Sequence, residues 1–119
     1  MRGPSRGTRN DLGVVRIQHD VIGRIAAIAA REVPGVVGVW EGLRFGGAAR
    51  WFGGVKVETL ETELRIQLPI IVRYGVNLPR VAVQVQERVR EAVQRMTDLS
   101  AVEVDVNIHG VREPQEGRP

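Results

Sequence analysis

The chain has 119 residues, of which 43% are hydrophobic and 26% charged, and its formal net charge at pH 7 is +3. This length suits one domain with its own core, and the absence of cysteine excludes disulfide bridges and thiolate metal ligands. No apolar run reaches the roughly 18–20 residues that span a bilayer, so we expect a cytoplasmic protein.

The N-terminal segment combines arginine with glycine, proline and serine. Such a composition cannot bury enough apolar surface to offset its ordering entropy, so residues 1–12 are predicted to be a disordered basic tail. The segment also lacks the apolar core of a secretory signal. Residues 113–119 are predicted to be a second flexible tail, which leaves 13–112 as a single domain.

The predicted elements begin with a short strand at 14–18. A helix follows, with Asp20 as its N-cap, and it continues to Val33, where a Pro-Gly pair stops it. A second strand is predicted at 36–40, and Trp40 at its end is expected to belong to the edge of the core.

The segment 41–54 is the least regular part of the domain, because it holds five glycines, three aromatic residues and two arginines. It is longer than most connections in compact domains. Its aromatic and basic side chains can contact a protein partner, stack on nucleic-acid bases or insert at a lipid interface. They can also fold back over one end of the core, and the sequence leaves these alternatives open.

Two strands follow, at 55–60 and 64–73, and both alternate apolar and polar residues with the period of a sheet that has one buried face. Arg65 and Arg73 fall on the polar face of the longer strand. Pro69 has no amide hydrogen, so we predict that this strand lies at a sheet edge or carries a bulge at that position.

A second helix opens at Asn77 and ends near Asp98. Its predicted apolar face repeats every three or four residues: Leu78, Ala82, Val85, Val89, Ala92 and Met96. A final strand at 102–108 alternates aliphatic residues with polar ones.

The element order β-α-β-β-β-α-β predicts an α+β fold. We expect a two-layer sandwich with both helices on one face of a mostly antiparallel sheet, and a split βαβ arrangement related to the ferredoxin-like fold. The open face should carry both signs of charge. Its predicted basic residues are Arg16, Lys56, Arg65 and Arg73, and its predicted acidic residues are Glu58, Glu103 and Asp105. Mixed charge argues against a nucleic-acid platform and favours a solvated surface or self-association.

The sequence indicates no catalytic, cofactor-binding or metal-binding residues. His19 and His109 are the two histidines, and neither has a second histidine or a carboxylate pair at ligand spacing. The glycine pairs in the 41–54 segment lack the Lys-Ser/Thr that completes a phosphate loop. We therefore expect binding and assembly rather than catalysis, without a cofactor.

Several segments, taken together, resemble one family of bacterial proteins. They are IQHDVIGRIAAIAAREVPGVVGV from Ile17, GVKVE from Gly54, IIVRYGVNLP from Ile70, VQERVREAV from Val85, and MTDL from Met96 with VDVNIHGV from Val104. In order and spacing they resemble the alkaline-shock-protein and Gls-type general-stress family of envelope stress proteins, over about residues 13–112. Asp98 departs from the family's usual glycine, and because Asp tolerates the left-handed conformation, we expect the helix end to be kept.

This resemblance implies a non-enzymatic cytoplasmic protein of the envelope stress response. It implies self-association and docking to a membrane-anchoring or lipid-synthesis protein, so that any membrane association would go through a partner. The resemblance supplies no contact residues. From the composition of the 41–54 segment and the polar face of the longest strand, the residues expected to make contacts are Arg44, Phe45, Arg50, Trp51, Phe52, Arg65 and Arg73. The alternative function is a nucleic-acid-binding module that uses the Arg-rich tail and the 41–54 segment.

Overall fold

The computed structural model describes residues 8–41, 51–60 and 63–113. In chain order its elements are β1 (Thr8–Asn10), β2 (Gly13–Val15), α1 (His19–Arg31), β3 (Val36–Val39), β4 (Trp51–Phe52), β5 (Val55–Leu60), β6 (Glu63–Arg73), α2 (Leu78–Thr97) and β7 (Val102–Arg112). Both helices pack on one face of a five-stranded sheet. The predicted two-layer α+β class is confirmed.

Strand β6 is the centre of this sheet. On one side it pairs in parallel with β7 along almost its whole length, from Leu64 to Arg73. On the other side it pairs antiparallel with two strands in succession, β5 along its first half and β3 along its second half. The short strand β4 extends the sheet beyond β5.

Pro69 lies in this central strand, so the predicted edge position is wrong. Pairing with β5 ends at Gln67, and pairing with β3 begins at Ile70. The Trp40 amide donates to the Pro69 carbonyl at 2.8 Å, and the amide side of a strand residue faces the same way as its carbonyl. Pro69 has no amide hydrogen to donate, and it therefore lies at the point where the pairing partner of β6 changes from β5 to β3. The alternative of a bulge at Pro69 is also wrong, because Pro69 pairs in register with Asn107 and the shift between Ile70 and Ile71 comes from an extra residue in β7.

The connection through α2 joins β6 to β7, which are adjacent and parallel. A split βαβ unit would place another strand between them, so that expectation is wrong. The reason lies in the predicted first strand: its observed part, β2, pairs with β1 in a separate hairpin and does not enter the main sheet. Arg16 consequently does not project from the open face.

The β1–β2 hairpin also corrects part of the predicted tail. Residues 8–12 form its first strand and turn, where Asn10 Oδ1 accepts hydrogen bonds from the amides of Leu12 (2.8 Å) and Gly13 (3.1 Å). Asparagine favours turns because its side chain can bond nearby backbone in this way. The rest of that tail, and the C-terminal one from 114 onward, lie outside the described residues.

The core lies between the helices and the apolar face of the sheet. Its largest fully buried side chains are Ile22, Val55, Val57, Leu64, Ile66, Leu68, Ile70, Val72, Val85, Val89 and Val93. Helix α1 adds alanines, which let it lie close to its neighbours. Its N-cap is Gln18, so Asp20 stands in the first turn, and the helix ends at Arg31, two residues before the predicted end.

Helix α2 is rotated relative to its predicted orientation. Its buried residues are Val81, Val85, Val89, Val93 and Thr97, whereas Leu78 is 40% and Met96 62% exposed. The predicted and observed buried faces share Val85 and Val89, but the structure buries Val81 and Val93 in place of Leu78 and Met96. The predicted helix end is confirmed, because Asp98 adopts the left-handed conformation at φ 64°.

Candidate interaction surface

The sheet face opposite the helices is called here the open face. Its side chains follow from the alternation of β5, β6 and β7 and from Trp40, which ends the β3 segment. They are Trp40, Lys56, Glu58, Arg65, Gln67, Pro69, Ile71, Glu103, Asp105, Asn107 and His109.

Arg65 is the centre of an ionic cluster on this face. Its Nη2 lies 3.5 Å from Glu103 Oε1, and its Nε lies 3.9 Å from Asp105 Oδ2. Glu58 is in register with it on the opposite strand. The pairs are partly exposed, so each contributes little to stability, and the Arg65 Nε is buried without a hydrogen-bond acceptor among the described residues. The single guanidinium of Arg65 therefore lies among three carboxylates, those of Glu58, Glu103 and Asp105, and its one positive charge cannot neutralise all of them.

Trp40 and His109 form a stacked aromatic pair on the same face. Their ring centroids are 3.8 Å apart with 25° between the ring planes. The two residues belong to opposite sides of β6, so the rings meet above that strand. Pro69 is buried on this otherwise open face, and we attribute its burial to the cover that the two rings provide.

Bulges on both neighbours of β6 create this pair. The register of β3 shifts between Val36 and Gly38, and that of β7 shifts where His109 is inserted. Bulges re-aim the side chains that follow them. Sequence reasoning assigned Trp40 to the edge of the core, yet it is 39% exposed on the open face. Gly38 and Gly110 were the local signals of the two bulges, since a glycine inside a strand often marks a bulge.

The remaining predicted contact residues have different positions. Arg44, Phe45 and Arg50 lie outside the described residues, as do the side chains of Trp51 and Phe52, whose backbone forms β4. Arg73 is exposed at the end of β6, in register with Arg112. It stands eight residues from Arg65, roughly 26 Å along an extended strand. The structure does not bring these two arginines together.

The other histidine has a position between two elements. His19 Nε2 lies 2.9 Å from Thr59 Oγ1, which connects the start of α1 to β5.

Within residues 8–41, 51–60 and 63–113, no three histidine or acidic side chains come together as metal ligands. None of the helices in these ranges is both long and apolar enough to cross a bilayer.

Two open grooves lined by described residues lie beside the helices. One, of about 420 Å³, lies beside α1 and is lined by Asp20, Arg24, Ala27, Ile28, Arg31, Glu41 and Gly53. The other, of about 370 Å³, runs between α2 and β7 and is lined by Val83, Gln86, Glu87, Arg90, Val102, Glu103, Val104 and Asp105. Both are open to solvent, the first has a mixed lining and the second a mainly polar one, and this arrangement fits macromolecular contact better than an enclosed small molecule.

Comparison with solved structures gives the C-terminal domain of MamM in a copper form, at TM-score 0.49 and 18% identity over 81% of this chain and all of that one. A likeness of this size supports no functional argument.

Sequence comparison is more informative. The protein YqhY of Bacillus subtilis is 38% identical over 85% of this chain and 78% of its own length. YloU of the same species is 31% identical, over 87% of this chain and 92% of its own. A stress response regulator gls24 homolog of Streptococcus pyogenes is 26% identical, and the match covers 62% of that protein's length.

A family model matches residues 7–113, nearly the whole described domain. The matched range includes all the segments that carry the resemblance in the sequence, from Ile17 to Val111. The chain belongs to the alkaline shock protein 23 family, whose members have a cell envelope-related function.

Proposed function

We propose that this chain is a non-enzymatic interaction protein of the envelope stress response, which self-associates and docks a membrane-anchoring or lipid-synthesis protein. Family membership supports the envelope setting, and the name of the streptococcal relative supports the stress response. In this proposal the protein is cytoplasmic and reaches the membrane through its partner.

The proposed docking role is supported mainly by the composition of the open face. An exposed aromatic pair, Trp40 and His109, lies beside the ionic cluster around Arg65. Aromatic residues and arginine are enriched where proteins bind one another, and charged groups around them provide specificity. The helices already bury the other face of the sheet, which leaves this one for a partner.

The test compares partner recovery between open-face variants and a matched control in the cell of origin. After crosslinking in the cell, the wild-type chain should co-purify with an envelope or lipid-synthesis protein. Trp40→Ala and Ile71→Lys should each lower that recovery about tenfold, the effect of losing roughly 1.4 kcal/mol of binding. Gln84→Glu, on the exposed side of α2, should leave it unchanged.

Equal recovery with all three variants would show that the open face is not the docking surface. The variants must first be shown to be folded, by their far-ultraviolet circular dichroism and urea midpoints. Direct binding of the purified chain to lipid vesicles would contradict the indirect route to the membrane.

The nucleic-acid alternative depends on Arg44, Arg50 and the arginines of the N-terminal tail. Among these, Arg9 lies within the described residues, in β1, and the others lie outside them. On the described open face, acidic and basic side chains are mixed, which does not favour binding to phosphates. A low-salt gel shift that disappears steeply as salt is added would support this alternative.

A further inference from the structure

The outer edge of β7 is a long strand edge without a neighbour. β7 runs over eleven residues and pairs with β6 on one side only, and within the described ranges no other strand pairs with it. Exposed edges of this length are templates for adding another strand, and natural proteins usually block them. The edge of β7 therefore needs an explanation.

The direction of the free backbone groups follows from the hydrogen bonds to β6. The amide of Leu64 donates to the carbonyl of Ala101, and the amide of Tyr74 donates to the carbonyl of Arg112, both at 2.8 Å. Because backbone groups alternate in direction along a strand, the residues that point away from β6 are Val102, Val104, Val106 and Ile108. Gln86 Nε2 already donates to the Val104 carbonyl at 3.2 Å. The free stretch of the edge thus begins at Val106.

The side chains along this free stretch are incompletely covered. Val102 and Val104 are 8% and 7% exposed under α2, but Val106 and Ile108 are only partly buried and Val111 is 51% exposed. Burial of the aliphatic row decreases toward the C-terminal end of the strand. A further strand at this edge would cover the exposed parts of these aliphatic side chains.

The charges of β7 are opposite at its two ends. Glu103 and Asp105 occupy the first half, with Arg65 neutralising one of the two carboxylates. At the other end Arg112 lies in register with Arg73, and Glu113 follows it. A strand with this polarity is complementary to itself when the second copy runs in the opposite direction.

We propose that a second copy of this chain adds its own β7 antiparallel to this edge, about a twofold axis at Asn107. In that register Val106 of one copy exchanges backbone hydrogen bonds with Ile108 of the other, and the two-fold symmetry repeats the exchange. Glu103 of each copy then lies beside the Arg112 end of the other. This inference rests on the self-association in the proposed function and names the surface that produces it.

A single cysteine at the axis tests the register directly, because the natural sequence has no cysteine. In an antiparallel pair Asn107 faces its own symmetry mate at a non-hydrogen-bonded position, where Cα atoms are about 4.5 Å apart and a disulfide can form. Under mild oxidation Asn107→Cys should give a covalent dimer in high yield. Gln84→Cys, exposed on α2, is the control and should stay monomeric on a non-reducing gel. Equal yields from both variants would overturn the proposed register.

Charge reversal provides a test that misfolding cannot imitate. Glu103→Arg and Arg112→Glu each place like charges at both ends of a homodimer, so each alone should weaken self-association at least tenfold in sedimentation experiments. A mixture of the two variants places opposite charges at both ends again, so it should recover a heterodimer. Failure of the mixture to associate would contradict the antiparallel arrangement.

A proline variant separates this inference from the proposed function. Val106→Pro removes an amide that points away from β6, so it should abolish dimerisation while a circular dichroism spectrum shows the fold intact. A dimer that survives Val106→Pro and both charge reversals would refute the β7 edge and leave self-association standing. A wild-type chain that stays monomeric to millimolar concentration would refute self-association itself.

Discussion

The indole ring of Trp40 stacks on the imidazole ring of His109 at a centroid distance of 3.8 Å, although the two residues belong to strands on opposite sides of β6. The contact connects the two flanks of the central strand above its one proline. A residue pair far apart in the sequence thus holds together the face of the sheet that carries no helix.

Loss of the indole should therefore affect stability as well as binding. We expect Trp40→Ala to lower the free energy of unfolding by about 2 kcal/mol, less than for a fully buried tryptophan, because Trp40 is 39% exposed. His109→Phe keeps a flat ring and should be nearly neutral. A double-mutant cycle with His109→Ala, followed by urea denaturation, should give a coupling energy of about 1 kcal/mol; a coupling near zero would contradict a stabilising stack.

The two glycines of the β4–β5 turn should respond very differently to alanine. At Gly54, φ is +92°, and an added Cβ would lie 2.5 Å from the carbonyl oxygen of Trp40. At Gly53, φ is +62°, and nothing lies within 4 Å of the added atom. We expect Gly54→Ala to cost about 3 kcal/mol, because backbone must move, and Gly53→Ala about 1 kcal/mol. Thermal unfolding of the two variants checks this order, and equal losses would contradict it.

A substitution at Asp98, just after the C-terminal end of α2, should stabilise the protein. Asp98 is held at φ 64°, a conformation that glycine adopts without steric cost, and its carboxylate stands at the negative end of the helix dipole. We expect Asp98→Gly to raise the free energy of unfolding by about 0.5–1 kcal/mol. Asp98→Asn removes the charge alone and should give a smaller gain, so that the difference measures the backbone contribution. A destabilised glycine variant would contradict this account.

The orientation of α2 can be tested with two truncations. Val93 is fully buried and Met96 is 62% exposed, whereas the sequence pattern placed Met96 in the core. We expect Val93→Ala to cost about 2 kcal/mol and Met96→Ala no more than about 0.5 kcal/mol. Chemical denaturation measures both. A larger loss of stability for Met96→Ala than for Val93→Ala would indicate that Met96 faces the core, as the sequence pattern predicted.

Much of the fold was predictable because its periodicity is strong. The alternation from Leu64 to Val72 identified the central strand and its buried face, and the pattern in α2 identified a helix with nearly the observed ends. Asn77 acts as the expected helix start, since its side chain accepts a hydrogen bond from the Arg80 amide at 2.9 Å.

The errors came from features that periodicity does not encode. Pro69 was expected at an edge or at a bulge because a central strand normally needs every amide. The succession of β5 and β3 along one side of β6 removes that need. The face of α2 was ambiguous by about one residue, because apolar residues also flank the valines that the structure buries.

The candidate surface was predictable in composition but not in arrangement. Arg65 on an open face of mixed charge followed from alternation alone. The pairing of Trp40 with His109 did not, because each of the two bulges inserts one residue and changes which side chains share a face.

The contact between Gly54 and the carbonyl of Trp40 has a consequence for how the chain can vary. Gly54 immediately precedes β5, so the chain returns beside Trp40 after the intervening strand β4, and the two ends of the segment 41–53 lie close together. Closing such a segment costs only about 0.6 kcal/mol more each time its length doubles. Insertions or deletions between Glu41 and Trp51 can therefore change what the protein presents to its surroundings while β3, β5, β6 and β7 keep their register.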